Sequence, residues 1–206
     1  MKKLMLSLGF IVTLSFGINI QDAQTAFKNG DFESAYKILN ELANKGDITA
    51  KYGLGDMYYN GFAVKQDYNK AFELYKKSVD KGYPYAENNL AMMYYRGKGI
   101  TQDYNKAFEL LEKSANQGLS IAQYNFGVVY DNGRGVKQDY KKAIEWYEKS
   151  ANQGNTKAQF NLGIMYANGQ GVIQDKKRAK EYFRKACDGG DQKGCDNYKI
   201  LNQQGY

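Results

Sequence analysis

A repeat period of 36 residues constrains the fold of this chain of 206 residues more than any other feature. Four segments align with one another without a gap. They are residues 50–85, 86–121, 122–157 and 158–193. A fixed period of this length is typical of stacked helical repeats and argues against a globular core of mixed elements.

Each segment is predicted to hold two helices, because its apolar residues recur at helical spacing between two glycine-rich turns. The first helix opens at an alanine and extends for about two turns to a tyrosine. The alanines are Ala50, Ala86, Ala122 and Ala158. An aspartate in each segment is placed to cap the second helix, since a carboxylate accepts from the unpaired N–H groups of a first turn. The aspartates are Asp67, Asp103, Asp139 and Asp175.

Small residues inside the first helix predict tight packing against a neighbouring helix. Gly55, Gly127 and Gly163 occupy one repeat position, which Ala91 fills in the second segment. A glycine inside a helix costs about 1 kcal/mol relative to alanine, so its recurrence indicates that a neighbour comes too close for a side chain.

The motif that carries these features resembles the SEL-one-like repeat, a relative of the tetratricopeptide repeat. It is A-x-x-x-L-G-x-M-Y-x-N-G-x-G-V-x-Q-D, as residues 158–175 spell it, and the resemblance covers about residues 31–198. The resemblance implies an all-α fold, a right-handed superhelical solenoid of antiparallel helix pairs. It also implies a concave face that commonly serves as a docking surface.

The ends of the chain differ from the repeats. Residues 1–17 combine Lys2 and Lys3 with an apolar run and small residues before position 18, which predicts a signal peptide cleaved after Gly17. A short uncleaved anchor is the alternative, although the run falls short of the ~20 residues that span a bilayer. Residues 18–49 are predicted to form an N-terminal capping helix pair and residues 194–206 a C-terminal capping helix. The mature chain is therefore expected in the periplasm or outside the cell, without stable insertion in a membrane.

Charge and composition favour a soluble scaffold over a nucleic-acid-binding protein. The formal net charge is +7, and removal of residues 1–17 leaves 27 basic and 22 acidic residues. Because these charges are interspersed, we expect a solvated helix surface and no nucleic-acid partner. The chain contains no histidine, and we predict no metal and no cofactor.

The two cysteines, Cys187 and Cys195, flank the turn between the last two predicted helices. In an exported protein an even pair at this spacing predicts a disulfide, with a redox pair or half of a metal site as alternatives. The segment from Ala186 to Tyr198 resembles the bridged repeat of the Helicobacter cysteine-rich proteins, secreted SEL-one-like proteins often classed as beta-lactamases. That group usually bridges every repeat, whereas only the last repeat carries cysteines here.

The resemblance makes a beta-lactamase or penicillin-binding activity the alternative function. Ser78 and Lys81 match the S-x-x-K motif of serine lactamases, and the segment 166–168 matches their Tyr-Ala-Asn. No K-T-G motif is present, and the serine recurs as Ser114 and Ser150 without the lysine. These are therefore interpreted as structural repeat positions, and no catalytic residue is predicted.

A recurrent asparagine supports a binding function instead. Its four members are Asn89, Asn125, Asn161 and Asn197. Asparagine forms helices poorly, so the repetition needs a cause. On the concave face, these amides and the neighbouring Tyr52, Tyr124 and Phe160 would bind a peptide, protein or peptidoglycan-type ligand. The alternative is that each amide bonds to the preceding helix or the glycine loop and holds the stack together. Oligomeric state is not predicted.

Overall fold

The computed structural model describes residues 18–206, so the predicted signal peptide lies outside the described residues. Within this range the chain forms α-helices and no strands, which confirms the all-α class. The eleven helices are α1 (Ile20–Lys28), α2 (Phe32–Asn44), α3 (Ile48–Asn60), α4 (Tyr68–Val79), α5 (Pro84–Arg96), α6 (Tyr104–Asn116), α7 (Ser120–Asn132), α8 (Tyr140–Asn152), α9 (Thr156–Asn168), α10 (Lys176–Asp188) and α11 (Gln192–Gln203).

Consecutive helices pack against each other along the whole array, as the solenoid prediction requires. From α3 onward the odd-numbered helices are the first helices of the repeats, and the even-numbered helices are the second. Helices α5 and α7 also contact each other across α6. Hydrogen bonds join α3 to α5 and α5 to α7 through side chains. The odd-numbered helices therefore form one layer of the stack, which we call the inner layer.

The first helix of each repeat begins two residues before the alanine at which it was predicted to open. The physical reason is that the alanine is the first buried residue, not the first helical one. Asp47 and Asn155 lie just before α3 and α9, and their side chains accept hydrogen bonds from the backbone N–H groups of Ala50 and Ala158 at 2.7 and 3.1 Å. In α5 a proline at the first position, Pro84, suits a helix start because its missing N–H would have no partner there.

The aspartate caps are confirmed. Each one accepts a hydrogen bond from the backbone N–H three residues further on, at 2.9 to 3.1 Å. The first helices end at glycines with a positive φ of 65° to 77°, which favours a residue without a Cβ. The caps are Asp67, Asp103, Asp139 and Asp175, and the glycines are Gly61, Gly97, Gly133 and Gly169.

The predicted close approach at the helical glycines is confirmed and involves an aromatic ring. A Cβ on Gly163 would lie 2.5 Å from the ring of Phe183 on α10. The corresponding distance is 2.6 Å from Gly55 to Tyr75 and from Gly127 to Tyr147. Such distances leave no room for a methyl group, so the rings require the glycines.

A buried serine on each of three even-numbered helices ties the two helices of a repeat together. The Oγ atoms of Ser78, Ser114 and Ser150 donate to the backbone carbonyls of Ile48, Pro84 and Ser120, at 3.2, 2.7 and 2.7 Å. All three serines are fully buried. Since a buried hydroxyl is costly without a hydrogen-bond partner, these bonds allow serine to be buried at this position, where it links the two helices.

The disulfide between Cys187 and Cys195 is present and joins the end of α10 to α11, with 4.5 Å between the Cα atoms. Within residues 18–206 no group of three or more His, Cys, Asp and Glu side chains is placed to hold a metal ion. None of the helices described here combines the length and the apolar character that crossing a membrane needs.

Candidate ligand-binding face

The inner layer contains a cavity of about 560 Å³, which we call the central cavity. Helices α3, α5 and α7 form its walls, with Lys157 of α9 at one end. It brings together three of the site residues predicted from the sequence, Asn89, Asn125 and Tyr124. Its volume falls within the ~300 to 1,000 Å³ of ligand pockets. Other lining residues include Tyr59, Asn60, Met92, Tyr95, Val128 and Asn132.

A chain of amide hydrogen bonds connects the three helices beside this cavity. The Nδ2 of Asn125 donates to the Oδ1 of Asn88 at 2.8 Å, and the Nδ2 of Asn88 donates to the Oδ1 of Asn89 at 3.1 Å. The Nδ2 of Asn89 then donates to the Oδ1 of Asp56 at 2.9 Å. Asn89 and Asn125 therefore tie neighbouring helices together while they also line the cavity.

Asp56 is the end point of this network and is surrounded by donors. Its Oδ1 also accepts from the hydroxyl of Tyr75 at 2.6 Å. Burial raises the pKa of Asp56 above its ordinary value, although the bonds from Tyr75, Tyr52 and Asn89 oppose this shift. Burial and the nearby carboxyl raise the pKa of Tyr52 and of Tyr75 as well. Both tyrosines therefore remain neutral donors.

A second carboxyl serves the equivalent tyrosine two repeats later. Tyr147 donates its hydroxyl to Oδ2 of Asp131 at 3.1 Å, and burial raises the pKa of Asp131. Asp131 lies one turn further along its helix than the position that corresponds to Asp56. Two different positions of the repeat thus supply an acceptor for the same buried hydroxyl.

The other predicted site residues lie further along the inner layer or outside the network. Burial raises the pKa of Tyr124 and of Tyr147, and hydrogen bonding with Asn161 opposes this shift. Phe160 packs against Phe183, with 5.7 Å between the ring centroids. Asn197 donates to the backbone carbonyl of Lys193 in its own helix at 2.9 Å, so the last member of the series connects no helices.

Tyr52 lies in a second, smaller cavity of about 460 Å³ at the N-terminal end of the inner layer. Its ring lies beside those of Tyr83 and Tyr85, with centroids 5.2 and 6.0 Å away. Tyr85 is 46% exposed and contributes an aromatic surface to this cavity. Asp56 lines both cavities, so the two adjoin.

Several residues of this face were not predicted from the sequence. Asn88 takes the repeat position of Tyr52, Tyr124 and Phe160, and that break in an aromatic series was the available signal. Arg96, Arg134 and Lys157 line the central cavity, but a cation does not recur in every repeat at any of their positions, and the interspersed charges of the sequence predict only a solvated surface. Tyr83 and Tyr85 were likewise not predicted.

The lactamase-like residues do not form a catalytic group. Ser78 has no exposed surface, and its hydroxyl is directed at the carbonyls of Ile48 and Leu74, each 3.2 Å away. Lys81 lies beyond the end of α4 and is exposed. Tyr166 is buried beneath the guanidinium of Arg178, which lies 4.3 Å from the ring centroid. The serine and the tyrosine both hold structural positions.

Solved structures with a similar fold confirm the SEL-one-like resemblance. A Sel1 repeat protein from Oxalobacter formigenes superposes with a TM-score of 0.79 and 31% identity, over 85% of this chain and 72% of that protein. The c5321 protein, a protective antigen of uropathogenic Escherichia coli, gives a TM-score of 0.78 and 31% identity over 92% of this chain. This match covers 45% of c5321, so the chain spans less than half of that protein.

Helicobacter pylori cysteine rich protein B is also similar in structure, with a TM-score of 0.51 and 27% identity over 65% of this chain and 96% of that protein. No curated protein matches the chain in sequence. The Sel1 repeat family model matches residues 48–83, 84–119, 120–155 and 156–191, four units that follow one another without a gap. Together with the repeat geometry, these matches show that the chain belongs to the Sel1 repeat family.

Proposed function

We propose that this Sel1 repeat chain is an exported scaffold that binds a protein partner on the face formed by its odd-numbered helices. The observation that carries the proposal is the central cavity, which crosses four successive repeats and has polar walls held in place by hydrogen bonds. Exposed apolar side chains lie on the same face, namely Tyr85 at 46% and Ile121 at 36% exposed. Fixed polar groups beside exposed apolar residues are typical of binding surfaces.

Three features support export. Lys2 and Lys3 precede an apolar run that has the pattern of a signal peptide. The disulfide of Cys187 and Cys195 suits an oxidising compartment. The similarity to Helicobacter pylori cysteine rich protein B points the same way. The mass of the chain recovered from the periplasm or medium is expected to match residues 18–206; recovery of the uncut chain from the cytoplasm alone would contradict export.

A capture experiment tests the binding face. The purified chain is immobilised and incubated with periplasmic and secreted proteins, and retained proteins are identified by mass spectrometry. The double variant Tyr85→Ala/Ile121→Ala removes apolar contacts from the inner layer. The control variant Ile173→Ala/Ile200→Ala removes exposed apolar residues elsewhere, since Ile173 is 91% and Ile200 50% exposed.

The proposal expects a partner that the wild type and the control retain and the inner-layer variant loses. Retention by all three proteins, with unchanged circular dichroism, would show that the binding face lies elsewhere. Purified peptidoglycan fragments are included as competitor, so that a cell-wall ligand would be recognised. The burial of Ser78 argues against the alternative function of beta-lactam hydrolysis.

A further inference from the structure

Three cationic side chains line the central cavity, and none of them forms an ion pair with a carboxylate of residues 18–206. They are Arg96, Arg134 and Lys157. The ion pairs formed among residues 18–206 lie elsewhere, at Lys45–Glu41, Lys106–Asp103 and Arg178–Glu148. The carboxyl that lines the cavity, Asp56, accepts from Tyr75 and Asn89 instead. The cavity therefore presents positive charge that no ion pair within the described part of the chain neutralises.

The repeat fold does not require these three charges. The repeat positions that correspond to Arg96 hold Asn60, Asn132 and Asn168. Those that correspond to Lys157 hold Thr49, Tyr85, Ile121 and Lys193, and those that correspond to Arg134 hold Phe62, Lys98 and Gln170. A cation therefore recurs once at each of these two positions, whereas a charge that supported the stack would be expected in every repeat, as the capping aspartates are.

The three cations come from three successive odd-numbered helices or the turns that follow them. Arg96 is the last residue of α5, Arg134 follows the glycine that ends α7, and Lys157 lies in the first turn of α9. The guanidinium of Arg134 lies 5.7 Å from the ring centroid of Tyr95, another residue of the cavity wall, which helps to hold it in place. Amides of Asn60 and Asn132 lie among them as further donors. A ligand that contacts all three cations must be extended along the array.

We propose that the central cavity binds an extended acidic segment of the partner protein, and that Arg96, Arg134 and Lys157 contact its carboxylates. This inference rests on the proposed function, of which it names the ligand chemistry. Complementary charge selects partners and speeds their association, and its effect weakens as salt screens it. A polypeptide matches the geometry because its side chains recur along an extended backbone as the cations recur along the repeats.

Fluorescence anisotropy with short synthetic peptides tests this inference on the mature chain. One labelled peptide alternates glutamate and serine, a second replaces glutamate with glutamine, and a third replaces it with lysine. The cavity variant is R96Q/R134Q/K157Q. The control variant is K77Q/K81Q/R184Q, which lowers the net charge by the same amount at exposed positions outside the cavity.

The glutamate peptide is expected to bind the wild type and the control variant alike, and to bind the cavity variant about tenfold or more weakly at low salt. The glutamine and lysine peptides are expected to bind more weakly than the glutamate peptide to the wild type. If both variants lost the same amount of affinity for the glutamate peptide, net charge alone would explain the effect, and the inference would be overturned. Failure of the glutamate peptide to bind, or equal binding of the glutamine peptide, would overturn it too.

The experiments distinguish failure of the proposed binding face from failure of the proposed acidic ligand. If the inner-layer variant Tyr85→Ala/Ile121→Ala loses a captured protein but R96Q/R134Q/K157Q retains it, the binding face stands and the acidic ligand is wrong. If no protein is captured on this face but peptidoglycan fragments bind in a manner that needs the three cations, both proposals are wrong. The cavity would then recognise cell-wall carboxylates.

Discussion

At the scale of single residues, one buried side chain on each of the helices α4, α6, α8 and α10 determines which residues can lie next to it. Where this side chain is a tyrosine, as at Tyr75 and Tyr147, an aspartate from the preceding helix accepts its hydroxyl hydrogen bond. Phe183 has no hydroxyl and therefore needs no acceptor. Leu111 has no ring, and in the same repeat Ala91 takes the place of the helical glycine. Within this one chain, a ring on the second helix thus occurs with a glycine on the first, and a leucine occurs with an alanine.

The pairing of Gly163 with Phe183 predicts coupled substitutions. Gly163→Ala places a methyl group against the ring and is expected to lower the free energy of unfolding by about 1 to 3 kcal/mol. The double variant Gly163→Ala/Phe183→Leu reproduces the natural pair Ala91 and Leu111 and is expected to be more stable than Gly163→Ala alone. Urea unfolding, monitored by circular dichroism, measures the free energies of unfolding of the wild type, both single variants and the double variant, which together form a double-mutant cycle. Additive losses would show that the two residues do not share the space.

The buried carboxyl of Asp56 predicts a dependence of stability on pH. Because burial raises its pKa, the folded chain holds this proton more tightly than the unfolded chain does. Its stabilising contribution is complete below the ordinary aspartate pKa of about 4 and is lost as pH rises through the raised value. The unfolding free energy of the wild type minus that of Asp56→Asn should therefore fall as pH rises from about 4 and then level off.

Urea unfolding of both proteins at a series of pH values measures this difference. Asp131→Asn provides a parallel case with the same expected sign, since burial raises the pKa of Asp131 too. A difference that stays constant, or that rises with pH, would contradict the raised pKa of both carboxyls.

At this scale the sequence indicated positions but not partners. The helical glycines predicted that a neighbouring group comes close. That group is an aromatic ring about 20 residues further along the chain, and no sequence pattern identifies it as the partner of the glycine. The asparagine series was visible as a period. That Asn89 ends on Asp56 could not be predicted, because the contact joins different helices and depends on their spacing.

At the scale of helices, two recurrent contacts flank the loop that joins the two helices of each repeat. Aspartates cap the even-numbered helices, and a cation of each of these helices lies over a tyrosine of the helix before it. The distances from cation to ring centroid are 4.2 Å for Lys70 over Tyr58, 5.3 Å for Lys106 over Tyr94, 5.1 Å for Lys142 over Tyr130 and 4.3 Å for Arg178 over Tyr166. This recurrent contact explains the tyrosine of the repeat motif, and it was not predicted from the sequence.

The disulfide predicts a local effect at the last helix. Cys187 and Cys195 close a short loop, for which the chain-entropy model gives about 2 to 3 kcal/mol. Replacing both by alanine is expected to speed amide hydrogen exchange in α11 and to leave α5 to α8 unchanged, since each repeat contacts mainly its neighbours. Exchange measured by mass spectrometry on both proteins would show this. A uniform increase along the chain, or none at all, would contradict the local role.

Helix order and caps could be predicted because they depend on residues close together in the sequence. The exact starts could not, since a buried alanine and the first helical residue differ by two positions, and α5 and α7 begin without a side-chain cap. Local signals locate a helix well and its first turn poorly.

At the scale of the whole molecule, the chain is a stack in which stability is a sum over neighbouring repeats. Its period determined the fold from the sequence, and the superhelix follows from helix pairs stacked with one offset. The position of the binding face is a different kind of property. It depends on which side chains several repeats bring together, and Arg96, Arg134 and Lys157 share no period that would reveal their convergence.

The buried Ser78 is not expected to open a lactam ring. Ser78 is fully buried and bonds to backbone carbonyls, so the purified chain is expected to leave a chromogenic beta-lactam unchanged relative to buffer. Absorbance over several hours measures this directly. Hydrolysis that disappears in Ser78→Ala, while the fold is retained, would contradict the assignment of this serine to the repeat core.

Site-specific photo-crosslinking in the producing cell is the sharpest test of the binding face, because it works on a partner whose identity is still open. A photoreactive phenylalanine analogue replaces Ile121 or Tyr85 on the inner layer, and Ile173 or Ile200 as exposed controls. We expect protein adducts at positions 121 and 85 and none of the same mass at 173 or 200. Adducts confined to positions 173 and 200 would place the partner outside the inner layer and contradict the proposed binding face.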